Sequence, residues 1–283
     1  MIQDISPILF SNAFSSEPPS SGDAVFAFSG GRLLARTGTD VVELPTAEEF
    51  WNGDACSRFH PIRLFSMGKQ GFYLAFAEDE SCPLKALPGF GFLDRSEYLV
   101  ASPPEMRFAI VTALHLLDWY ESNRRCGRCG AKMGQDAIER ALSCSACGNR
   151  VYPRINPAVI VAVRNGDSLL MARYADKGAY KHRALIAGFC EIGETAEQTV
   201  AREVMEEAGV RVKNICYYKS QPWGIAGDLL LGFVCDVDGE TELSPQDGEL
   251  ASVEWVRRED IFEEDDHVSL TREMIVAFKN GKL

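Results

Sequence analysis

Residues 188–210 read GFCEIGETAEQTVAREVMEEAGV, and the reading of this stretch decides the fold. Thr195 and Gln198 have the spacing of a capping box, which predicts a helix start. Gly209 stands where a helix closes on a left-handed residue, which predicts its end. Between them Glu203, Glu206 and Glu207 fall at i, i+3 and i+4, so three carboxylates share one face. Ala201, Val204, Met205 and Ala208 fall on the opposite face and are expected to pack inward. Crowded carboxylates raise one another's pKa unless something neutralises them. Hard divalent cations such as Mg²⁺ or Mn²⁺ do so, because carboxylate oxygens are the ligands they prefer.

Strand patterns surround this helix. AVIVAV (158–163) and SLLMAR (168–173) flank Asn165-Gly166, a strong hairpin turn. ALIAG (184–188) leads into the acidic helix, DLLLGFVCDV (228–237) and SVEWV (252–256) read as further strands, and SLTREMIVAF (269–278) reads as a closing helix. An α+β domain over residues 153–283, with a mixed sheet flanked by helices, is the expectation.

A second specific pattern precedes it. Cys126-x2-Cys129 is followed, after fourteen residues, by Cys144-x2-Cys147. Two such knuckles offer four thiolates to a closed tetrahedral Zn²⁺ site, which makes one structural zinc the expectation. Arg124, Arg125, Arg128 and Lys132 make the segment locally basic, and both a nucleic-acid contact and a solvated rim stay open for them. Residues 103–122 read as a helix beginning near Pro104, in which His115 is expected to pack rather than to bind a ligand. Residues 1–102 alternate short apolar runs with turn residues and read as a mostly β domain. The expected division is therefore 1–102, 103–152 and 153–283.

Charge and composition narrow the function classes. The chain has 283 residues and a net charge of −12, which does not support a broad basic groove for nucleic acid. Its nine cysteines, an odd number, argue against a disulfide framework. No apolar run is long enough to span a bilayer, and the first twenty residues make a poor signal peptide, so a cytoplasmic setting is expected. The C-terminal Gly281-Lys282-Leu283 reads as an ordinary frayed end rather than a targeting signal.

The quoted stretch matches G-x5-E-x7-R-E-U-x-E-E-x-G-U, with U a bulky apolar residue, at Gly188, Glu194, Arg202, Glu203, Val204, Glu206, Glu207, Gly209 and Val210. That pattern resembles the Nudix hydrolases. Two further stretches resemble their NADH pyrophosphatase branch: Tyr152-Pro153-Arg154-Ile155-Asn156-Pro157 directly after the knuckles, and Ser220-Gln221-Pro222-Trp223 beyond the helix. The resemblance covers about residues 105–283. It implies a Nudix α/β/α sandwich and metal-dependent hydrolysis of the diphosphate of NAD(H), giving nicotinamide mononucleotide and AMP, with removal of an NAD cap from RNA as a close variant.

Site roles follow from the same resemblance. It implies Mg²⁺ or Mn²⁺ ligands at Glu203, Glu206 and Glu207, at the carbonyl of Ala187 and at Glu249, with Arg202 pairing an acid of the box. Gly188 and Gly193 are expected to meet backbone demands. Phe189 and Trp223 match aromatics that stack on the nicotinamide side, contributed in the family by two subunits, so a homodimer is implied. Glu139, Tyr152, Gln221 and Thr271 match other substrate-contacting positions. After Trp223 the family's P-F-P-x-S gives way to Gly224-Ile225-Ala226-Gly227-Asp228, which predicts a less rigid loop. That change also places Asp228 among the candidate substrate contacts, as a carboxylate that would repel phosphate unless a metal or hydrogen bond intervenes. Two alternatives remain open at this point: a diphosphatase for another nucleoside diphosphate such as ADP-ribose, and a Nudix protein that senses nucleotides or binds nucleic acid without hydrolysis.

Overall fold

A computed structural model of the chain describes residues 1–39, 41–52, 58–77, 83–100, 102–174, 183–244 and 250–283. The chain divides into two compact units, Met1–Gln3 with Ile155–Leu283, and Asp4–Arg154. The N-terminal β region, the long helix and the four-cysteine segment thus share one unit, while the first three residues belong to the other.

In the Ile155–Leu283 unit, the strand Asn156–Asn165 organises a six-stranded mixed sheet. It pairs in parallel with Asp228–Val237 along its length. Its start pairs antiparallel with Ile186–Phe189, and its end with Ser168–Tyr174 through the Asn165-Gly166 hairpin. Val212–Trp223 and Leu250–Arg257 complete the edges. The run AVIVAV is apolar at every position because the strand is buried on both faces. Ala158, Ile160 and Ala162 pack with Leu270, Met274, Ile275 and Phe278 of the closing helix, Leu270–Lys279. Val159, Val161 and Val163 pack with Val200, Val204 and Ala208 of the box helix, Ala196–Ala208. Each of those strand residues is 6% exposed or less, so the sheet is sandwiched between two helices as expected.

Residues Met1–Gln3 join this unit through specific bonds. The Ile2 N–H donates to the Val268 carbonyl at 3.0 Å, and Ile2 is buried. The Gln3 side chain donates to the Ser220 carbonyl at 3.3 Å.

In the Asp4–Arg154 unit, a four-stranded sheet contains Phe59–Met67 and Gln70–Ala77, and a three-stranded sheet contains Arg32–Arg36. The helix Pro104–Ser122 starts where the sequence places it and buries Phe108, Ile110, Leu117 and Trp119. His115 is half-buried, with Nε2 2.8 Å from the Arg154 carbonyl. The knuckle segment carries three two-residue strands. Within it Arg140 reaches the Leu64 carbonyl at 2.6 Å and so ties the segment to the larger sheet. No helix among the described residues is long and apolar enough to cross a membrane.

Candidate active site and zinc centre

The box helix has the ends its sequence specifies. The Thr195 hydroxyl accepts from the Gln198 N–H and the Gln198 side chain accepts from the Thr195 N–H. Gly209 closes the helix at φ 73°, a conformation costly for other residues. The buried stripe, however, runs through Thr199, Val200, Val204, Glu207 and Ala208. Ala201 is exposed and Met205 only half-buried, which corrects the expected inward face. Glu207, 4% exposed, lies on the inward side, apart from exposed Glu206.

Arg202 organises the acids around it. Its Nε and Nη2 donate to the two oxygens of Glu194 at 2.7 and 3.0 Å, a two-bond clamp. Nη1 donates to Glu203 at 2.7 Å and to Glu206 at 3.0 Å. Nη2 also donates to the Phe189 carbonyl at 2.9 Å, which ties the strand Ile186–Phe189 to the helix. One guanidinium therefore serves three carboxylates and a carbonyl. Its pKa is raised, chiefly by the hydrogen bonds to Glu194. Bonding to Arg202 is also the main reason the Glu194 carboxyl is held down at about 2, with the Glu191 N–H and Thr199 hydroxyl adding to it. Glu203 is pushed the other way, because burial disfavours its charge more than Arg202 restores it.

Gly188 has a role different from the one expected. Its φ lies outside the left-handed region, so no backbone demand explains it. A Cβ placed there would lie 2.0 Å from the Glu203 carboxyl carbon. The glycine is a space requirement: the Glu203 carboxylate occupies the volume where any side chain would begin. Gly193, at φ 97°, does meet a backbone demand.

The donor chemistry suits a hard divalent cation, since Glu203, Glu206 and Glu207 offer carboxylate oxygens and Ala187 a nearby strand carbonyl. The three carboxylates do not converge as a ligand cluster; Arg202 holds two of them, and a bound cation would compete with its Nη1. Glu249, the fifth expected ligand, lies outside the described residues.

The remaining expected contacts fall in two groups. Trp223 and Ala187 pack against the core on the closing-helix side of the sheet. Thr271 is half-buried in the first turn of that helix, and Phe189 is 55% exposed at a strand end. Gln221 is fully buried and its amide is spent on the fold: it donates to the Val268 carbonyl at 2.7 Å and to Gln3 at 3.3 Å, and accepts from the Leu270 N–H at 2.8 Å. Trp223 pairs with Asp228 across a four-residue turn closed by the Ala226 N–H on the Trp223 carbonyl. The strands stay paired up to this turn, so residues 224–227 close a tight hairpin. Asp228 is buried, 3.4 Å from the Asn156 amide that donates to it. Glu139 and Tyr152 sit in the other unit, where Glu139 accepts from the Tyr152 hydroxyl at 2.9 Å and from Arg150 at 2.7 Å.

The zinc centre is assembled from two like knuckles. In each, the first cysteine's carbonyl accepts from a left-handed glycine, Gly130 or Gly148. The first cysteine's N–H donates to the carbonyl of Ala131 or Asn149. The Sγ atoms of Cys126, Cys129, Cys144 and Cys147 lie within 4.8 Å of one another, with 3.6 Å from Cys126 to Cys147 and 3.5 Å from Cys129 to Cys144. Tetrahedral ligands at ~2.3 Å from zinc would stand about 3.8 Å apart, so the set fits the ion. The Arg128 N–H, 3.4 Å from Cys126 Sγ, does most to draw that thiol down to about 6.

Comparison with known proteins agrees with both patterns. Residues 154–278 match the NUDIX domain, and residues 121–152 match the NADH pyrophosphatase zinc ribbon domain. A protein named NAD-capped RNA hydrolase NudC from Enterobacter sp. (strain 638) is 44% identical over 153 residues, 52% of this chain and 57% of its own length. One of the same name from Salmonella typhi is 44% identical over 149 residues, with the same coverage. The match thus spans somewhat over half the length of these relatives. A crystal structure of a NUDIX hydrolase from Nitrosomonas europaea covers 56% of this chain and 91% of its own, with TM-score 0.45 and 18% identity. Residues 154–278 thus carry a NUDIX domain and residues 121–152 a zinc ribbon of the NADH pyrophosphatase kind.

Proposed function

We propose that the chain hydrolyses the diphosphate bridge of NAD(H), giving nicotinamide mononucleotide and AMP, and that the same site accepts the NAD cap of an RNA. The carrying observation is the Arg202 cluster, in which one guanidinium fixes Glu194, Glu203 and Glu206 while Gly188 leaves room for the Glu203 carboxylate. The zinc ribbon and the relatives named as NAD-capped RNA hydrolases support the substrate class. Mg²⁺ or Mn²⁺, the ions typical of Nudix hydrolases, would be held by the box carboxylates and would supply charge neutralisation for the diphosphate and a more acidic water.

The chain's own part is positional. Glu203, Glu206, Glu207, Glu249 and the Ala187 carbonyl are the proposed ligands. Arg202 clamps Glu194 and ties the helix to the Phe189 carbonyl, and its Nη1 is the group a bound ion would displace from Glu203 and Glu206. Phe189 and Trp223 offer aromatic faces to a flat ring, and Glu139, Tyr152, Asp228 and Thr271 are the proposed polar contacts. A cytoplasmic homodimer is part of the same proposal.

Mass analysis of products from NADH, NAD⁺, ADP-ribose and an NAD-capped transcript, with manganese supplied, tests the reading. AMP and the mononucleotide from NADH, lost in Glu206→Gln with its fold intact, are the expected result. Intact NADH alongside cleaved ADP-ribose would move the assignment to the other diphosphatase class. Tight RNA binding with no turnover of any dinucleotide would overturn it.

A further inference from the structure

The four cysteines of the zinc centre are not equally covered. Cys126 and Cys144, the first of each knuckle, are 3% and 2% exposed. Cys126 is screened further by two donors, the Arg128 N–H at 3.4 Å and the Asn149 amide at 3.6 Å from its Sγ. Cys147 is half-buried, and Cys129 is exposed. The reason lies in the sequence of the first knuckle, Cys126-Gly127-Arg128-Cys129-Gly130. Gly127, Arg128 and Gly130 are exposed as well. A Cβ on either glycine would meet no heavy atom within 4 Å, so the turn that carries Cys129 stands open to solvent.

Susceptibility of a cysteine to oxidation follows thiolate character and access. Zinc ligation supplies the first to all four at neutral pH, because a ligating cysteine is deprotonated. The open turn supplies the second to Cys129. What oxidation leads to then depends on the thiols within reach. Cys144 Sγ stands 3.5 Å from Cys129 Sγ, across from the other knuckle, and is itself shut off from solvent. An exposed thiolate therefore sits beside a buried one that can resolve it.

We propose that Cys129 is an oxidation site, at which hydrogen peroxide converts the zinc centre into a Cys129–Cys144 disulfide and releases the ion. This goes beyond the proposed hydrolysis and does not depend on it. The Cys129 thiolate attacks one peroxide oxygen; the O–O bond breaks, hydroxide leaves, and the sulfur becomes a sulfenic acid. The Cys144 thiolate attacks that sulfur; the S–O bond breaks and a second hydroxide leaves. Two thiolates are oxidised by two electrons in all, and one peroxide molecule is reduced. Closing the pair from 3.5 Å to a bond of ~2.05 Å asks for only a small movement of the two knuckles. The ion is left with Cys126 and Cys147, too few ligands for a closed structural site. A thiol reductant reverses the bridge by exchange.

The test exposes the full chain, zinc-loaded and free of reductant, to hydrogen peroxide for increasing times, with catalase as the quench. A chromogenic zinc indicator reads the released ion, and mass mapping of unreduced peptides reads the bridges. One zinc released per chain is expected, in step with a Cys129–Cys144 peptide pair two hydrogens lighter than its thiols. Dithiothreitol should restore both thiols and the uptake of zinc. Cys216→Ser should leave both signals unchanged, since Cys216 is exposed but lies outside the four. Cys129→Ser should release its zinc more slowly under peroxide; where that variant holds no zinc, the order in which the wild-type thiols react decides the matter. The proposal is overturned by zinc that stays bound while Cys216 is oxidised, or by a first bridge between any other pair. Release with all four thiols still reduced, irreversible oxidation of Cys129 without a bridge, or equally fast release from Cys129→Ser would overturn it too.

Discussion

Gly188 and Glu203 share one volume: a Cβ on Gly188 would stand 2.0 Å from both the carboxyl carbon and Oε1 of Glu203. Gly188 is fixed there because its strand residue pairs with Val159 at the sheet centre, while Glu203 rides on a helix packed against the same sheet. Gly188→Ala must therefore displace the carboxylate. Expected are a fall of about a hundredfold in kcat, as for a misplacement near 1 Å, and a loss of about 1–3 kcal/mol from overpacking. Steady-state kinetics and urea unfolding read the two effects. Wild-type values of both would show that the two residues are not in contact.

The Glu194–Arg202 clamp gives a pH prediction with a definite sign. The folded carboxyl titrates near 2, below its ordinary 4.5, so its contribution is fully present above 4.5 and disappears as pH falls towards 2. Glu194→Gln should unfold at lower urea than wild type at neutral pH. The gap between the two midpoints should close across that acid window. A gap that stays constant with pH would mean that the charge on Glu194 does not stabilise the fold.

Zinc should be needed for the ribbon to hold its shape. The purified chain is expected to carry one zinc, and a strong chelator or Cys144→Ser should raise hydrogen exchange across residues 121–152. The available energy is large, about 10–16 kcal/mol for structural zinc in comparable small sites. Protons compete with the metal for these thiolates, so zinc should be lost as pH falls. A metal-free chain with unchanged exchange in this segment would remove the structural role.

Local signals were legible in the sequence and distant contacts were not. The capping box at Thr195, the Asn165-Gly166 hairpin and the two cysteine knuckles each encode their geometry within a few residues. By contrast, the i, i+3, i+4 spacing grouped three glutamates but did not say which side of the helix faces the sheet. The stripe through Val200, Val204 and Ala208 decides that, and it takes Glu207 inward. The purpose of Gly188 depends on a side chain fifteen positions away, and the membership of Met1–Gln3 in the Nudix unit on a bond from Ile2 to Val268. Periodicity carries no information about either.

Gln221 brings this difference to a measurable point. Its place in Ser220-Gln221-Pro222-Trp223 resembles a substrate contact, yet its side chain is buried and joins Gln3, Val268 and the Leu270 N–H that opens the closing helix. Gln221→Leu keeps the bulk but leaves buried backbone groups without partners, each costing about 1–3 kcal/mol. A total loss of about 2–5 kcal/mol in urea unfolding is expected. Gln3→Ala, which removes the bond from Gln221 and the one to the Ser220 carbonyl, should cost less, about 1–3 kcal/mol. For the folded fraction, KM for NADH should stay near wild type in both variants, because the Gln221 amide is already fully bonded within the fold. A raised KM in a Gln221 variant of undiminished stability would return this side chain to the substrate, and would require the bond network seen here to open when substrate binds.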